Sequence, residues 1–195
     1  MKTVFVDVDT QNDFLYPTGT LYVPGADGIV DRVSELNRWA ASHGICVIST
    51  MDAHTKDDPE FKSWPPHCVA GTVGQQKPQS TLLGKHVVVR NQAGLPETSG
   101  AEQILLEKQA LDCFTAVNLS AILERLRADR YVVYGVVAEI CVKFAALGLL
   151  KTGRKVEIVT DAVKELDPTQ ASAFLKGFAA AGGVLTTTAA VMSRE

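Results

Sequence analysis

The chain lacks three features that would indicate a secreted, nucleic-acid-binding or membrane protein. Its cysteines show no paired spacing, which predicts reduced thiols rather than a disulfide framework. Lysine and arginine form no cluster, and a formal net charge of −3 argues against nucleic acid as a main partner. No apolar run approaches the ~20 residues that cross a bilayer. The four cysteines are Cys46, Cys68, Cys113 and Cys141.

The N-terminal residues also lack the pattern of a signal peptide, because their apolar stretch soon becomes acidic. Together with the unpaired cysteines, this predicts a cytoplasmic protein. The chain has 195 residues, of which 46% are hydrophobic and 21% charged, which is ordinary for a globular protein with a substantial core. Neither an internal repeat nor a linker divides the sequence. Residues 1–195 are therefore predicted to form a single domain.

Short β-branched runs alternate with longer segments of helical spacing. The predicted strands are Thr3–Val8, Ile45–Thr50, Val87–Arg90, Ile104–Glu107, Tyr131–Val137, Val156–Thr160 and Val184–Thr188. The predicted helices are Ile29–Ala40, Val117–Arg127, Glu139–Leu150 and Pro168–Ala181, with Gly44, Gly153 and Gly182 just past helix ends. Continuous apolar strands alternating with helices indicate an α/β fold with three α/β/α layers and a mostly parallel, doubly wound sheet.

Reactive side chains follow four of the predicted strands. Asp9 follows the first strand, the Asp52–His54 stretch the second, Lys108 the fourth, and Glu139–Cys141 the fifth. Active sites of such sheets lie at the carboxyl ends of the strands. We therefore expect these side chains to meet at one edge of the sheet.

Asp52, His54 and His67 form a possible ligand set for a divalent metal. A carboxylate and two imidazoles suit a transition metal that keeps positions open for water or substrate. Zinc fits this donor set best, and iron or manganese would also be accepted. The alternative interpretation is that these side chains are merely solvated loop residues.

Cys141 is a candidate nucleophile because it opens a predicted helix directly after a strand. The positive end of the helix dipole favours a thiolate there, and the free backbone N–H groups can hold an oxyanion. The alternative is a small, inert core cysteine. Lys108 would lower the pKa of the thiol, and Asp9 would act as its general base. These three residues would then function as a catalytic triad.

The order of motifs resembles the isochorismatase-like cysteine hydrolases, and within them the metal-containing nicotinamidases. The resemblance runs over nearly the whole chain, and the block from Trp64 to Thr72 is its most specific element. The matching segments are Asp9–Phe14 (DTQNDF), Asp52–His54 (DAH), Trp64–Thr72 (WPPHCVAGT), Lys108 and Gly135–Val142 (GVVAEICV).

The resemblance implies a cysteine-dependent amidohydrolase that converts nicotinamide to nicotinate and ammonia through a thioester, a reaction of NAD salvage. Asp9, Lys108 and Cys141 are then the catalytic triad. A zinc-like metal is held by Asp52, His54 and His67, with Glu60 as the candidate fourth ligand. The resemblance also implies that the chain can self-associate.

The resemblance further assigns the pocket. A cis peptide between Val136 and Val137 aligns the backbone N–H groups of Val137 and Cys141 as the oxyanion hole. Phe14 and Trp64 sandwich the substrate ring, with its pyridine nitrogen on the metal. Two positions depart from the family pattern. Ala138-Glu139 replaces the common Thr-Asp, and Phe114 is the nearest aromatic where relatives carry a tyrosine, so Ala138 and Phe114 are candidate pocket residues.

Other functions remain open at this point. The closest alternative is hydrolysis of another small amide or ureido (carbamoyl) compound. Isochorismate is disfavoured, because enzymes acting on it typically lack both the cysteine and the metal ligands. The Asp7–Thr10 stretch also resembles the first motif of haloacid-dehalogenase-type phosphatases, with Asp7 as nucleophile, but Asp161 stands alone where that family needs an acidic pair. A non-enzymatic binding protein would be free to lose the reactive residues, all of which are present.

Overall fold

A seven-stranded sheet organises the protein, and every strand pair in it is parallel. The computed structural model describes residues 1–94 and 96–193. The spatial order is β3-β4-β2-β1-β5-β6-β7, so the predicted α/β class with a doubly wound parallel sheet is confirmed. The strands are β1 (Thr3–Val8), β2 (Val47–Asp52), β3 (His86–Val89), β4 (Gln103–Lys108), β5 (Arg130–Val136), β6 (Lys155–Lys164) and β7 (Val184–Thr186).

Helices occupy the connections between the strands. The α-helices are α1 (Asn12–Leu15), α2 (Val30–Ser42), α3 (Leu119–Leu126), α4 (Lys143–Lys151), α5 (Pro168–Ala180) and α6 (Thr188–Met192). Single 3₁₀ turns lie at Ala26–Ile29, Pro59–Lys62, Gln79–Thr81 and Cys113–Thr115, and a π turn covers Ala138–Val142. Across residues 1–94 and 96–193, no helix has the length and apolarity needed to cross a membrane.

The central strands form the core because they are buried along their length. All residues of β2 and β5 are buried, and so are all of β1 after Thr3. Their valine and isoleucine side chains pack well on a pleated surface covered on both faces. Buried parallel strands of this composition explain why the sequence pattern located the sheet correctly.

The sheet has a switch point between β1 and β5. From β1 the chain moves outward through β2, whereas from β5 it moves the opposite way through β6 and β7. Ligands of open α/β sheets bind in the crevice at such a point. Asp9 follows β1 and Cys141 follows β5, so the two lie on either side of this crevice.

Gly135 allows β5 to approach β1 closely at the crevice. Its φ of 119° lies where side chains are rarely tolerated, and a Cβ atom there would stand 2.1 Å from the Val8 carbonyl oxygen. Asp9 follows Val8 directly. Only glycine at position 135 therefore lets the end of β5 lie beside the end of β1.

The structure differs from the sequence prediction mainly at the ends of elements. β6 continues to Lys164, four residues beyond the predicted Thr160, and β7 stops at Thr186 because Thr187 caps α6. Helix α1 was not predicted at all. The predicted helix at Glu139 begins instead as a π turn, in which the Val142 N–H bonds to the carbonyl of Val137. Such turns often lie at functional sites.

Candidate active site

A narrow cavity lies at the carboxyl ends of the strands, beside the switch point, and the space between its lining atoms, with its open mouth included, is about 390 Å³. Its polar lining consists of three carboxylates, one imidazole and one thiol, contributed by Asp9, Asp52, Glu60, His67 and Cys141. The remaining lining is aromatic or aliphatic and comes from Phe14, Leu21, Val23, Trp64, Leu111, Val136, Val137, Ile140 and Leu166. A mostly apolar cavity with a few convergent polar groups is typical of a small-molecule site.

Lys108 joins two carboxylates beneath this cavity. Its Nζ lies 2.9 Å from Asp9 Oδ2 and 2.5 Å from Asp52 Oδ1, and it donates a further hydrogen bond to the Ala110 carbonyl at 3.0 Å. The contact with Asp52 follows from strand register, because Asp52 and Lys108 end β2 and β4 side by side. Burial disfavours the charged amine, but the two carboxylates outweigh it and raise the pKa of Lys108 well above its usual value.

The environment moves the pKa values of the two carboxylates in opposite directions. Burial raises the pKa of Asp9, the charge of Asp52 adds to this, and Lys108 and a hydrogen bond from Thr50 only partly offset it. Burial also opposes the ionisation of Asp52, but Lys108 and His54 outweigh it and lower the pKa of Asp52. When two acids share one cation in this way, the acid with the raised pKa is the one suited to exchanging a proton. Here that acid is Asp9.

Cys141 lies in the π turn and is buried at the inner end of the cavity. Burial raises the pKa of its thiol well above the usual value. Asp9 and Asp52 raise it further, partly through a hydrogen bond with Asp9, and Lys108 opposes them. Burial and the two neighbouring acids thus oppose the thiolate that the helix dipole was expected to favour, while Lys108 acts in the expected direction. Because the pKa of the thiol is raised, Cys141 needs a general base to become a nucleophile, and Asp9 lies beside it.

The peptide bond between Val136 and Val137 is cis, as the resemblance implied. Val137 follows the end of β5 and lines the cavity together with Cys141. The side chain of Val137 is buried and its residue lies one position before the π turn. The structure thus brings both residues of the implied oxyanion hole to the same wall as the thiol.

Three side chains fit a divalent metal. The donor atoms of Asp52, His54 and His67 lie within 4.8 Å of one another, and all three residues are buried. Asp52 Oδ2 lies 3.8 Å from His54 Nε2 and 4.0 Å from His67 Nε2. Both distances are too long for hydrogen bonds, and the buried His54 Nε2 has no hydrogen-bond partner among the described residues. Oxygen and nitrogen atoms at these separations can bind one metal ion between them.

The second nitrogen of each imidazole lies beside a protein oxygen, within hydrogen-bond geometry for His67 and at ion-pair distance only for His54. His54 Nδ1 lies 3.0 Å from Asp58 Oδ2, and His67 Nδ1 bonds to the Pro65 carbonyl at 2.7 Å. An oxygen beside Nδ1 favours the proton on that nitrogen, which leaves the Nε2 lone pair free to bind a metal next to Asp52. Asp58 was not singled out from the sequence. Its only signal was its place four residues after His54.

Glu60 lies beside the same group of donors. Its Oε1 is 3.8 Å from His67 Nε2, and the residue lines the cavity. Burial, supported by the charge of Asp52, raises the pKa of Glu60. Asp58 sets its position, because the Asp58 carboxylate accepts the Glu60 backbone N–H at 2.9 Å and so caps the 3₁₀ turn.

The aromatic walls agree only partly with the sequence prediction. Phe14 and Trp64 line the cavity, and the Phe14 ring lies 5.3 Å from the His67 ring. Phe114 and Ala138 are not among the described residues that line it. The expectation for Phe114 is wrong, because its ring packs against α4 at Gly148, where a Cβ would stand 2.2 Å away. Leu111 lines the cavity instead.

Two side chains of the Asp9–Phe14 motif hold the segments that carry the candidate metal ligands Asp52 and His67. The sequence did not reveal this role of the motif. The Gln11 amide donates to the Asp52 carbonyl at 2.8 Å and accepts the Asp52 N–H at 2.7 Å. Asp13 accepts the backbone N–H of Cys68, next to His67, at 2.7 Å. The motif therefore positions both segments that carry the candidate metal ligands.

The phosphatase alternative is excluded by the position of Asp7. Its carboxylate is fully buried, accepts hydrogen bonds from Thr10 and Ser49, and pairs with the buried Lys77 at 3.3 Å. Asp7 does not line the cavity among the described residues. A carboxylate enclosed by the core in this way cannot attack a phosphate ester.

Known proteins are similar to this chain in sequence and in fold. The family model for the isochorismatase domain matches residues 3–190. The nicotinamidase of Escherichia coli strain K12 is 28% identical over 207 residues, covering 93% of each chain. The pyrazinamidase of Pyrococcus horikoshii in complex with zinc is 28% identical with a TM-score of 0.80, covering 96% of this chain and 99% of that one. The N-carbamoylsarcosine amidase of Thermoplasma acidophilum is 28% identical with a TM-score of 0.77, covering 96% and 97%.

Proposed function

We propose, since this chain belongs to the isochorismatase domain family, that it is a cysteine-dependent amidohydrolase of a small, neutral carboxamide, with nicotinamide as substrate. Hydrolysis of a carbon–nitrogen amide bond follows from its nicotinamidase relatives. The observation that carries the residue assignment is that Cys141 and Asp9 line the same cavity, while Lys108 lies 2.9 Å from the Asp9 carboxylate. Asp9, Lys108 and Cys141 are proposed as the catalytic residues.

Asp9 moves the protons in this mechanism. It takes the thiol proton as the Cys141 sulfur attacks the carboxamide carbon, and it then donates that proton to the departing ammonia. The resulting thioester is hydrolysed by water, whose proton Asp9 accepts before returning one to the thiolate. Lys108 remains charged between Asp9 and Asp52 throughout, which stabilises whichever of them is ionised.

The tetrahedral intermediate carries its negative charge on the former carbonyl oxygen. We assign the backbone N–H groups of Val137 and Cys141 to this oxyanion, because both residues lie on the cavity wall that holds the thiol. Backbone donors that are fixed before the reaction stabilise developing charge without reorganisation. Phe14 and Trp64 are proposed to hold the substrate ring between them.

Asp52, His54 and His67 are proposed to hold zinc, with Glu60 as a fourth ligand. The zinc-complexed relative and the buried donor set support this assignment. When bound, the metal supplies a Lewis-acid contact that anchors the pyridine nitrogen. Iron and manganese suit the same donors, so metal analysis of the purified protein decides between the three.

The charge of the cavity favours a neutral substrate. Its described lining contains three acidic residues and no lysine or arginine, and the nearby Lys108 is already engaged by Asp9 and Asp52. A substrate carboxylate would therefore find no free cationic side chain in the described lining, and its one cationic partner would be the proposed metal, which is assigned to the ring nitrogen. This favours an aromatic carboxamide over a ureido compound that carries a carboxylate.

An ammonia-release assay over three substrates tests the function. We expect the highest kcat/KM for nicotinamide, a lower value for benzamide, which lacks the ring nitrogen, and the lowest for a carbamoylated amino acid. Because a missing polar partner inside a pocket costs more than a missing methylene, the benzamide value should fall by at least about tenfold. A higher kcat/KM for the carbamoylated amino acid would overturn the nicotinamide assignment in favour of a ureido hydrolase.

Removal of either imidazole should remove the metal. His54→Ala and His67→Ala are each expected to lower the bound metal by at least about tenfold, because the donor set loses one of its protein ligands. Metal content is measured by elemental mass spectrometry after dialysis. His86→Ala is the matched control, since His86 is exposed on β3. Unchanged metal in both active-site variants would contradict the assignment. Glu60→Gln tests the fourth ligand in the same assay.

Asp58→Asn should weaken metal binding without removing a ligand. Asp58 orients His54 through a 3.0 Å contact with Nδ1, and loss of such a partner costs about 10–100-fold in metal affinity. Competition with a chromogenic chelator measures the change. The neighbouring Asp57→Asn provides the control, because Asp57 is exposed. Equal affinities for both variants would show that Asp58 does not orient the ligand.

A further inference from the structure

Glu139 connects the π turn that contains Cys141 to the loop that contains Leu166 and Asp167. It lies two residues before Cys141 in the π turn and is buried. Its Oε1 accepts the backbone N–H groups of both Leu166 and Asp167, at 2.9 and 2.7 Å. Two charge-assisted hydrogen bonds on one oxygen hold that loop at a fixed distance from the turn.

The loop held by Glu139 forms part of the substrate pocket. It joins β6 to α5, and Leu166 lines the cavity while remaining partly exposed at 39%. Asp167 also caps α5 by accepting the N–H groups of Thr169 and Gln170. The helix and the Glu139 carboxylate therefore fix the loop from both sides.

Ile140 follows Glu139 directly and lines the same cavity. The Glu139 carboxylate consequently links two parts of the lining, Ile140 with Cys141 on the π turn and Leu166 on the loop. An aspartate at position 139 would end about 1.5 Å short, by one carbon–carbon bond, and could not reach both N–H groups without a backbone shift. The glutamate thus matches the span between turn and loop.

We propose that Glu139 is a positioning residue that sets the fit of the substrate through Leu166. This inference depends on the proposed amidohydrolase function only for its kinetic readout. Glu139 does not itself line the cavity among the described residues, so its effect on catalysis is indirect. Loss of the two hydrogen bonds frees Leu166 to move and widens the pocket, which weakens substrate binding more than it slows the chemical steps.

A double-mutant cycle tests this coupling. Glu139→Ala and Leu166→Ala are each expected to raise KM for nicotinamide about tenfold, with kcat within about threefold of wild type. The double variant should be no worse than Leu166→Ala alone, because Glu139 acts through that side chain. Glu139→Gln should stay within about twofold of wild type, since an amide oxygen can accept both N–H groups. Multiplying effects in the double variant, or a fall in kcat at constant KM, would overturn the proposal.

Hydrogen exchange supplies a readout that needs no turnover. In Glu139→Ala the amides of Leu166 and Asp167 should exchange at least about tenfold faster than in wild type, and in Glu139→Gln they should remain protected. Unchanged exchange in Glu139→Ala would overturn the inference. If the wild-type protein releases no ammonia from any amide, the proposed function fails, while the exchange experiment still decides whether Glu139 holds the loop.

Discussion

Replacement of Cys141 by alanine is expected to lower kcat for amide hydrolysis by at least about 10⁴-fold. The thiol is the proposed nucleophile, and no other described side chain in the cavity can form a thioester. Ammonia release measures the loss, and mass spectrometry of rapidly quenched wild-type enzyme should detect an acyl group that is missing from the variant.

Cys46→Ala is the matched control for this prediction. Cys46 lies just before β2, at the opposite end of the strand from Asp52, and burial raises the pKa of its thiol to about 11. This control should retain full activity. Activity above about 1% of wild type in Cys141→Ala would mean that the covalent mechanism is wrong. An intact metal content in the same sample excludes loss of the fold as the cause.

Asp9→Asn should lower kcat by about 10³-fold, within the range expected for loss of a general base. The amide keeps the size of the side chain but cannot accept the thiol proton. In wild type, the rate should rise with pH as Asp9 loses its proton, and this rise should occur above the usual carboxyl range because burial and Asp52 raise the pKa of Asp9. The variant should lose that limb of the pH profile.

Asp31→Asn is the control for Asp9→Asn, because Asp31 lies exposed in the first turn of α2. Its activity and pH profile should match those of wild type. If Asp9→Asn keeps the wild-type pH profile at reduced activity, Asp9 serves only to hold Lys108, and another group transfers the proton. The pH profile of Asp9→Asn, compared with that of the control, therefore separates the role of Asp9 in proton transfer from its role in pairing with Lys108.

Much of the fold could be predicted because its causes are local. Buried parallel strands require continuous β-branched runs, and the helices between them require spaced apolar residues, so β1, β5 and α5 were located to within one residue and β2 to within two. Errors fell where a tertiary contact decides the end of an element. The π turn at Ala138–Val142 has no signal in residue spacing.

The reactive residues could be found from the sequence, but the shifts in their pKa values could not. Asp52, His54 and Cys141 stood out by type and by position after strands, and His67 stood out by type alone. The raised pKa of the Cys141 thiol could not be foreseen, because the sequence shows a helix start and not the desolvation and the two acids around the thiol. Phe114 was misplaced for a similar reason, since its ring direction depends on the space left by Gly148.

The sequence by itself determined the parallel sheet, the edge at which the reactive residues meet, and the chemical types available there, because strand patterns and motif order are properties of adjacent residues. Only the tertiary structure decided the directions in which the pKa values of Asp9 and Asp52 move, which carboxylate lies beside His54, and which side chains close the pocket. Those outcomes depend on burial and on contacts between distant segments, such as Glu139 with Leu166. Desolvation and packing arise only when such segments come together.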